Sequence, residues 1–270
     1  MAKRISFIGG GNMGGAILGG ILHANLMAPE NIVVSDVNEK NLAFLADTYK
    51  VKTTKNNQEA AKTADILILA VKPNIYGKVI ASIKEWVKDE TIIVTIAAGI
   101  NIEYVEKSFE KKVKVIRTMP NTPAFVGAGM TAICHNEMVT KEELDDVVQI
   151  FESFGKVELI EEKLMDAVPA VSGSSPAYVF MFIEALGDGA VRSGIPREQA
   201  YRMAAQAVLG SAKMVLESGK HPGALKDMVC SPAGTTIEAV HTLEQNNFRG
   251  AVMEAMESCT KKAIKMSRND

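Results

Sequence analysis

The chain has 270 residues, of which 47% are hydrophobic and 23% charged, and a formal net charge of −2. This is an ordinary globular composition, and the near-neutral balance speaks against nucleic acid or an anionic membrane surface as partner. The three cysteines, Cys134, Cys230 and Cys259, are odd in number and form no CxxC, and the four histidines show no ligand spacing, so neither a disulfide framework nor a metal site is expected. Lys3 and Arg4 precede an apolar run of only about four residues, too short for a signal peptide. No run approaches the roughly 20 residues of a membrane span, and a reducing cytoplasm is the expected compartment.

The first half alternates strand and helix. Strands are expected at Arg4–Ile8, Asn31–Ser35, Val51–Thr53, Ile66–Val71, Thr91–Ala97 and Val113–Arg117. Amphipathic stretches such as Glu39–Tyr49, Asn57–Lys62 and Asn74–Val87 lie between them. Ile66–Val71 and Ile92-Ile93-Val94 are apolar throughout, as strands buried on both faces of a parallel sheet are. The pattern predicts a doubly wound, mostly parallel sheet of the Rossmann type. Gly127–Cys134 and Val157–Leu159, flanking a helix at Lys141–Phe154, extend it at one edge.

The first strand breaks into Gly9-Gly10-Gly11-Asn12-Met13-Gly14, and Gly9, Gly11 and Gly14 fit G-x-G-x-x-G. Gly9 allows the tight turn, Gly11 lets a pyrophosphate approach the backbone, and Gly14 lets the helix of Met13–His23 pack close to the strand. The phosphates of a dinucleotide would rest on free N–H groups at that helix start. Asp36, ending the second strand, stands where the fingerprint places its acidic ribose ligand, about 20 residues further on.

Ligands of such sheets bind beyond the carboxyl ends of the strands. After the fourth strand come Ala70-Val71-Lys72-Pro73, with Lys72 near the phosphates or ribose or simply solvated. After the fifth come Ala97-Ala98-Gly99, small enough for a ring or ribose to reach the backbone. After the sixth, Arg117-Thr118-Met119-Pro120-Asn121-Thr122-Pro123 is a rigid loop that sets Asn121 beside the nicotinamide or serves structure alone.

From Glu161 the texture becomes helical: Ser175–Ser193, Pro196–Ser218, Gly223–Val229, Thr235–Asn246 and Phe248–Ser267. The boundary is set near Glu161–Lys163, giving a dinucleotide-binding domain over 1–162 and a helical domain over 163–270. Tyr178–Ile183 is apolar on every face, which predicts burial against a second subunit. Thr235 and Glu238 read as a capping box. Ser231 to Thr236 and Ser172-Gly173-Ser174-Ser175 both read as hydroxyl-rich helix starts suited to a small anion.

Phe7–Gly14, Ala70–Pro73, Met119–Pro123, Ser172–Ser174 with Pro176-Ala177-Tyr178, and His221-Pro222 leading to Leu225-Lys226-Asp227 and Ser231–Thr236 resemble, in order, pyrroline-5-carboxylate reductases. The last motif is specific to that family, and the first is shared by many dehydrogenases. The resemblance implies reduction of the C=N bond of 1-pyrroline-5-carboxylate to L-proline. Ser231 and the N–H groups of Gly234 and Thr235 would then hold the carboxylate, and the Thr236 hydroxyl the ring nitrogen. It implies a cofactor site of Gly9, Gly11, Asn12, Met13, Gly14, Ser35, Asp36, Asn57, Ala70–Pro73, Ala97–Gly99 and Asn121. The substrate site would include a partner subunit's helices, in a homodimer, often assembled into a decamer. NADPH is the expected cofactor and NADH the alternative, since Asp36 suits a free 2′-hydroxyl whereas Ser35, Asn38, Lys40 and Asn57 could serve a phosphate. Ala233 departs from the family's usual glycine, with little expected effect. The competing readings are a β-hydroxyacid-type dehydrogenase, disfavoured because Ser175–Arg192 has no lysine base, and a non-enzymatic NADPH-sensing dimer.

Overall fold

The computed structural model describes residues 3–267. Eight strands form one sheet in the order β3-β2-β1-β4-β5-β6-β7-β8. They are β1 (Ile5–Ile8), β2 (Ile32–Ser35), β3 (Lys52–Thr54), β4 (Ile66–Leu69), β5 (Ile92–Thr95), β6 (Lys114–Met119), β7 (Gly129–His135) and β8 (Gly155–Leu159). All pairings are parallel except β6 with β7. The sheet is therefore mostly parallel, with the two late strands at its edge as the sequence predicts.

The helices of this half are α1 (Asn12–His23), α2 (Glu39–Tyr49), α3 (Asn57–Thr63), α4 (Tyr76–Ile83), α5 (Ile102–Phe109) and α6 (Lys141–Glu152). Asn38 and Asn56 accept N–H bonds at the starts of α2 and α3, and Thr140 with Glu143 forms a capping box on α6. Two cores lie on the two faces of the sheet. Ile5, Phe7, Val34, Ile68 and Val94 pack with Ile17, Ile21, Leu45 and Phe151 on one face. Ile8, Leu67, Leu69, Ile93 and Val115 pack with Tyr76, Ile80, Val105 and Phe109 on the other. Successive residues of one strand thus enter opposite cores, which is why β4 and Ile92-Ile93-Val94 of β5 read as unbroken apolar runs.

Asn74–Val87 is not one helix. A 3-10 turn over Pro73–Ile75 precedes α4, which ends at Ile83. Proline at the first position of a turn fixes the entry, and Ile75 leaves helical geometry at ψ 0° before α4 begins.

The second half carries α7 (Ser175–Arg192), α8 (Arg197–Ser218), α9 (Pro222–Val229), α10 (Thr235–Gln245) and α11 (Phe248–Ser267). Gly194 and Gly219 take left-handed backbone after α7 and α8. The chain forms two compact units, one of the residues up to Ser174 with those from Cys259 onward, the other of Ser175–Ser258. This division lies later than the 162/163 boundary. Arg117 of β6 bonds Asp166, and Asp166 bonds Ser267, so both the stretch after β8 and the end of α11 are tied to the sheet.

Within the helical unit, a Cβ on Gly187 would overlap the Tyr201 ring, so the glycine permits close approach of α7 and α8. Most of the unit's apolar side chains are nevertheless uncovered in the single chain. Phe180 is 64% exposed, Met181 68% and Leu216 82%. An apolar surface of this extent marks an interaction face.

Candidate active site

The sheet order places β2 and β4 on either side of β1, and the chain reverses direction across the sheet between β1 and β4. A crevice opens at such a switch point, beyond the carboxyl ends of the strands. Here it is a cleft of about 640 Å³. Of the residues read as cofactor-binding, Gly9, Gly11, Asn12, Met13, Ser35, Asp36, Asn57, Ala70, Val71, Lys72, Pro73 and Ala97 line it. They come from five loops that the sequence separates by up to 88 positions, Gly9 to Ala97.

The glycines act as the spacing requires. Gly9 has φ +101°, and a Cβ there would overlap the Ala70 carbonyl. A Cβ on Gly14 would press on the Gly9 carbonyl, so α1 can lie close to β1 only without one. Gly11 has no atom within 4 Å of its missing Cβ, leaving the backbone open to a ligand. Gly11 is also the cap of α1 and supplies no side-chain acceptor, so the first N–H groups of the helix are free for an anion. The residues present thus fit a dinucleotide pyrophosphate.

Gly14, Ala98, Gly99 and Asn121 do not line this cleft. Ala98 and Gly99 border a small pocket with Arg117, Met165 and Ala263, and a Cβ on Gly99 would meet Met266. Asn121 is buried, and its amide joins two backbone stretches: Nδ2 donates to Ser172 O at 2.9 Å, and Oδ1 accepts from Met130 N–H at 2.9 Å. That is the structural role that the rigid-loop reading allowed.

Two buried supports of the sheet escaped the sequence reading. Tyr76, fully buried, donates its hydroxyl to Leu69 O at 2.5 Å and lies 3.1 Å from Thr95 Oγ1. It joins the ends of β4 and β5 just where the chain turns into the cleft. Burial pushes its phenol well above the usual tyrosine range, against the opposing Thr95 hydroxyl, so it remains a neutral donor. Arg117, also buried, donates to Asp166 Oδ1 at 2.7 Å and approaches Glu162 Oε1 at 3.5 Å. Nearby, burial pushes the Cys134 thiol up to about 12, and Glu162 adds to this while Arg117 opposes it. Cys134 is therefore a neutral, unreactive side chain at physiological pH.

In the helical unit the four substrate residues of the sequence reading fall in one turn. Gly234 N–H bonds Ser231 O at 3.1 Å. Gly234, with φ −82° and ψ 169°, is the cap of α10, and its side chain offers nothing to the helix. Thr235 and Glu238 therefore do not form a capping box. The chain enters the helix at Thr235 itself, one residue earlier than that box needs, because glycine takes the cap position. The consequence is chemical: the leading N–H groups of α10 have no side-chain partner and present the positive end of the helix dipole. Ser231 Oγ stands where a Cβ on Gly234 would lie, so only glycine admits the hydroxyl there.

The other hydroxyl-rich start is of a different kind. Pro169–Gly173 is a single π-helical turn, and Ser174 N–H bonds back to Pro169 O at 2.6 Å. Its Ser174 N–H is thus engaged by the chain itself.

Ala233 has φ +55°. A left-handed alanine costs about 1–2 kcal/mol, so the departure from glycine is not neutral. Ala233→Gly relieves that strain but adds about 0.4–1 kcal/mol of unfolded-state entropy. The net expectation is a gain of roughly 0.5 kcal/mol, read as a small rise in Tm in thermal denaturation. A lower Tm rejects the strain.

A Rossmann-type sheet with a glycine cradle, a cleft at the switch point and an apolar helical unit defines a two-part NAD(P)-dependent oxidoreductase that self-associates. The comparisons with known proteins specify it. A family model described as "Pyrroline-5-carboxylate reductase dimerisation" matches residues 162–266, and one described as "NADP oxidoreductase coenzyme F420-dependent" matches residues 4–99. The chain is 51% identical over 269 residues to the pyrroline-5-carboxylate reductase of Escherichia coli (strain K12), covering all of both chains. It is 42% identical to that of a Synechocystis strain, over 99% of this chain and 100% of the relative. A crystal structure of the Plasmodium falciparum enzyme with NADP bound superposes with a TM-score of 0.90 at 35% identity, covering 98% of each chain. The chain belongs to the pyrroline-5-carboxylate reductase family. It is a homo-oligomer acting on a small molecule with NAD(P)H as cofactor.

Proposed function

We propose a division of labour for the family's reaction, the reduction of 1-pyrroline-5-carboxylate to L-proline. The turn Ser231–Gly234 and the start of α10 hold the substrate. The N–H of Thr235, with the Ser231 hydroxyl, binds its carboxylate as a donor at the positive end of a helix, while the Gly234 N–H, bonded to Ser231 O, holds the turn in shape. The hydroxyl of Thr236, one residue further on, holds the ring nitrogen. The observation that carries this reading is the uncapped start of α10 at Gly234.

The cofactor site is the cleft around Gly9–Met13, with Ser35, Asp36 and Asn57 toward the ribose and Ala70–Pro73 and Ala97 along its other wall. Bound NAD(P)H supplies the hydride that reduces the ring carbon of the C=N bond. A protonated imine is already electrophilic, so the protein's task is positioning rather than strong acid catalysis. Tyr76 and the glycine cradle fix the cleft walls, and Thr236 orients the nitrogen.

The oligomer is a homodimer, with a decamer of five such dimers as its larger form, and the uncovered apolar face of α7 and α8 supports the dimer. Among the described residues no helix is long and apolar enough to cross a membrane, and a cytoplasmic enzyme is the reading that fits. The test is loss of NAD(P)H absorbance on adding 1-pyrroline-5-carboxylate, with proline identified as product. A folded protein that binds NAD(P)H and yet forms no proline rejects the substrate assignment.

A further inference from the structure

The ribose end of the cleft is built around Asp36. Its carboxylate accepts three hydrogen bonds from the chain itself. Gly10 N–H donates to Oδ2 at 2.7 Å, Asn41 Nδ2 donates to Oδ2 at 3.1 Å, and Asn38 N–H donates to Oδ1 at 2.9 Å. Asn41 Nδ2 also donates to Gly10 O at 2.7 Å, so the carboxylate, the glycine loop and α2 are locked together. The carboxylate lines the cleft with Gly9, Gly11 and Ser35.

Two consequences follow. The carboxylate cannot turn aside for a bulky anion without leaving the N–H groups of Gly10 and Asn38 unpaired. It also keeps acceptor capacity, since a carboxylate offers about four lone-pair sites and three are filled. A hydroxyl can donate to the remaining one. A phosphate, carrying negative charge and acceptor oxygens, cannot.

The cations that could welcome a phosphate are committed elsewhere or distant, and the amide donors of Asn38 and Asn57, whose oxygens are engaged, carry no charge to offset that of Asp36. The buried Ser35 hydroxyl donates to Asn57 Oδ1 at 2.6 Å. The Asn38 side-chain oxygen caps α2. Lys55 pairs with Glu39. Lys40 is exposed and does not line the cleft. Lys72 does line it, but it follows β4, two strands from β2 across β1. At about 4.8 Å per strand its backbone stands roughly 10 Å from the end of β2.

We propose that Asp36 makes this enzyme prefer NADH over NADPH, with Asn41 the positioning residue that holds the carboxylate toward the ribose. Both cofactors enter the same cradle; the 2′ substituent sets their order. This deepens the dinucleotide reading of the cleft and is independent of the substrate.

The test is calorimetric titration of the full-length enzyme with ADP and with 2′,5′-ADP, then with NADH and NADPH. ADP and NADH should each bind at least tenfold more tightly than their 2′-phosphorylated counterparts. Asp36→Ser should erase that ratio or invert it. Asn41→Ala, which changes no charge, should narrow it several-fold, whereas a purely structural asparagine would lower Tm and leave the ratio unmoved. Equal or tighter binding of 2′,5′-ADP by the wild type overturns the proposal, with or without the variants. Failure of both ADP and 2′,5′-ADP to bind overturns it together with the dinucleotide reading. ADP binding in the expected order by an enzyme that makes no proline removes the substrate assignment alone.

Discussion

Arg117→Met is expected to destabilise the protein by about 3 kcal/mol, the low end of the cost of breaking a buried ion pair. The guanidinium is 6% exposed, whereas its partners Asp166 and Glu162 are 27% and 37% exposed, so solvent limits the penalty. Each carboxylate also keeps another donor: Ser267 Oγ for Asp166 at 2.8 Å, and Ile102 N–H for Glu162 at 2.8 Å. Methionine fills most of the volume, so the loss is chiefly that of two charges left without a counter-ion. For a unit of this size each kcal/mol moves Tm by roughly 2–4 °C, and a fall of about 6–12 °C is expected. The double variant Arg117→Met with Asp166→Asn should recover part of it, because a neutral amide no longer needs the cation. A Tm shift below about 2 °C for the single variant would show that the pair contributes nothing.

This cluster shows why some of the molecule was not legible in the sequence. Arg117 stands on a strand that the apolar pattern identifies, but its partners lie 45 and 49 residues on, outside any periodicity. Asp166 and Ser267 are 101 residues apart, and nothing local announces their bond. The same holds for Tyr76, whose role depends on reaching back to Leu69 O and across to Thr95. What is local was readable. The glycine spacing determines the phosphate loop because Gly9 and Gly14 answer to steric contacts with the Ala70 and Gly9 carbonyls, while Gly11 leaves the backbone open. The apolar strands disclose a sheet covered on both faces because burial on both sides removes alternation.

Local signals also misled. The spacing of Thr235 and Glu238 matches a capping box, yet the glycine before them takes the cap, and a box read from two residues cannot see the backbone of a third. The helix α5 carries a local signal of its own, though it is not among the stretches singled out from the sequence. Asn101 accepts from Tyr104 N–H at 2.7 Å and caps it, and Ile102, Val105 and Phe109 face the core, so its signal was present but short. Asn121 and Gly99 were assigned by their place after strands. That rule identifies the neighbourhood of a site but not which side chains the protein needs for its own packing.

Thr236→Ala is expected to lower kcat by about 100-fold, the low end for losing a group that acts on proton or charge position in the transition state, while the Kd of NADH and NADPH stays within about twofold. The residue lies second in α10, after the uncapped Gly234 and Thr235, and is half-buried. Its hydroxyl is the side-chain donor and acceptor at that turn set beyond the groups proposed to bind the carboxylate. If those groups fix the carboxylate, the ring nitrogen of a five-membered substrate falls one residue further along the helix. Removing the hydroxyl then leaves the carboxylate anchored, so KM should change less than kcat, and uniform binding is retained while transition-state orientation is lost. Thr236→Ser keeps the hydroxyl and should restore most of the turnover, whereas Thr236→Val keeps the shape and should not. A threonine that served only to pack α10 would give the opposite order, with valine active and serine impaired. Rapid-quench or steady-state measurement of proline formation by the three variants, alongside cofactor titrations, separates these outcomes.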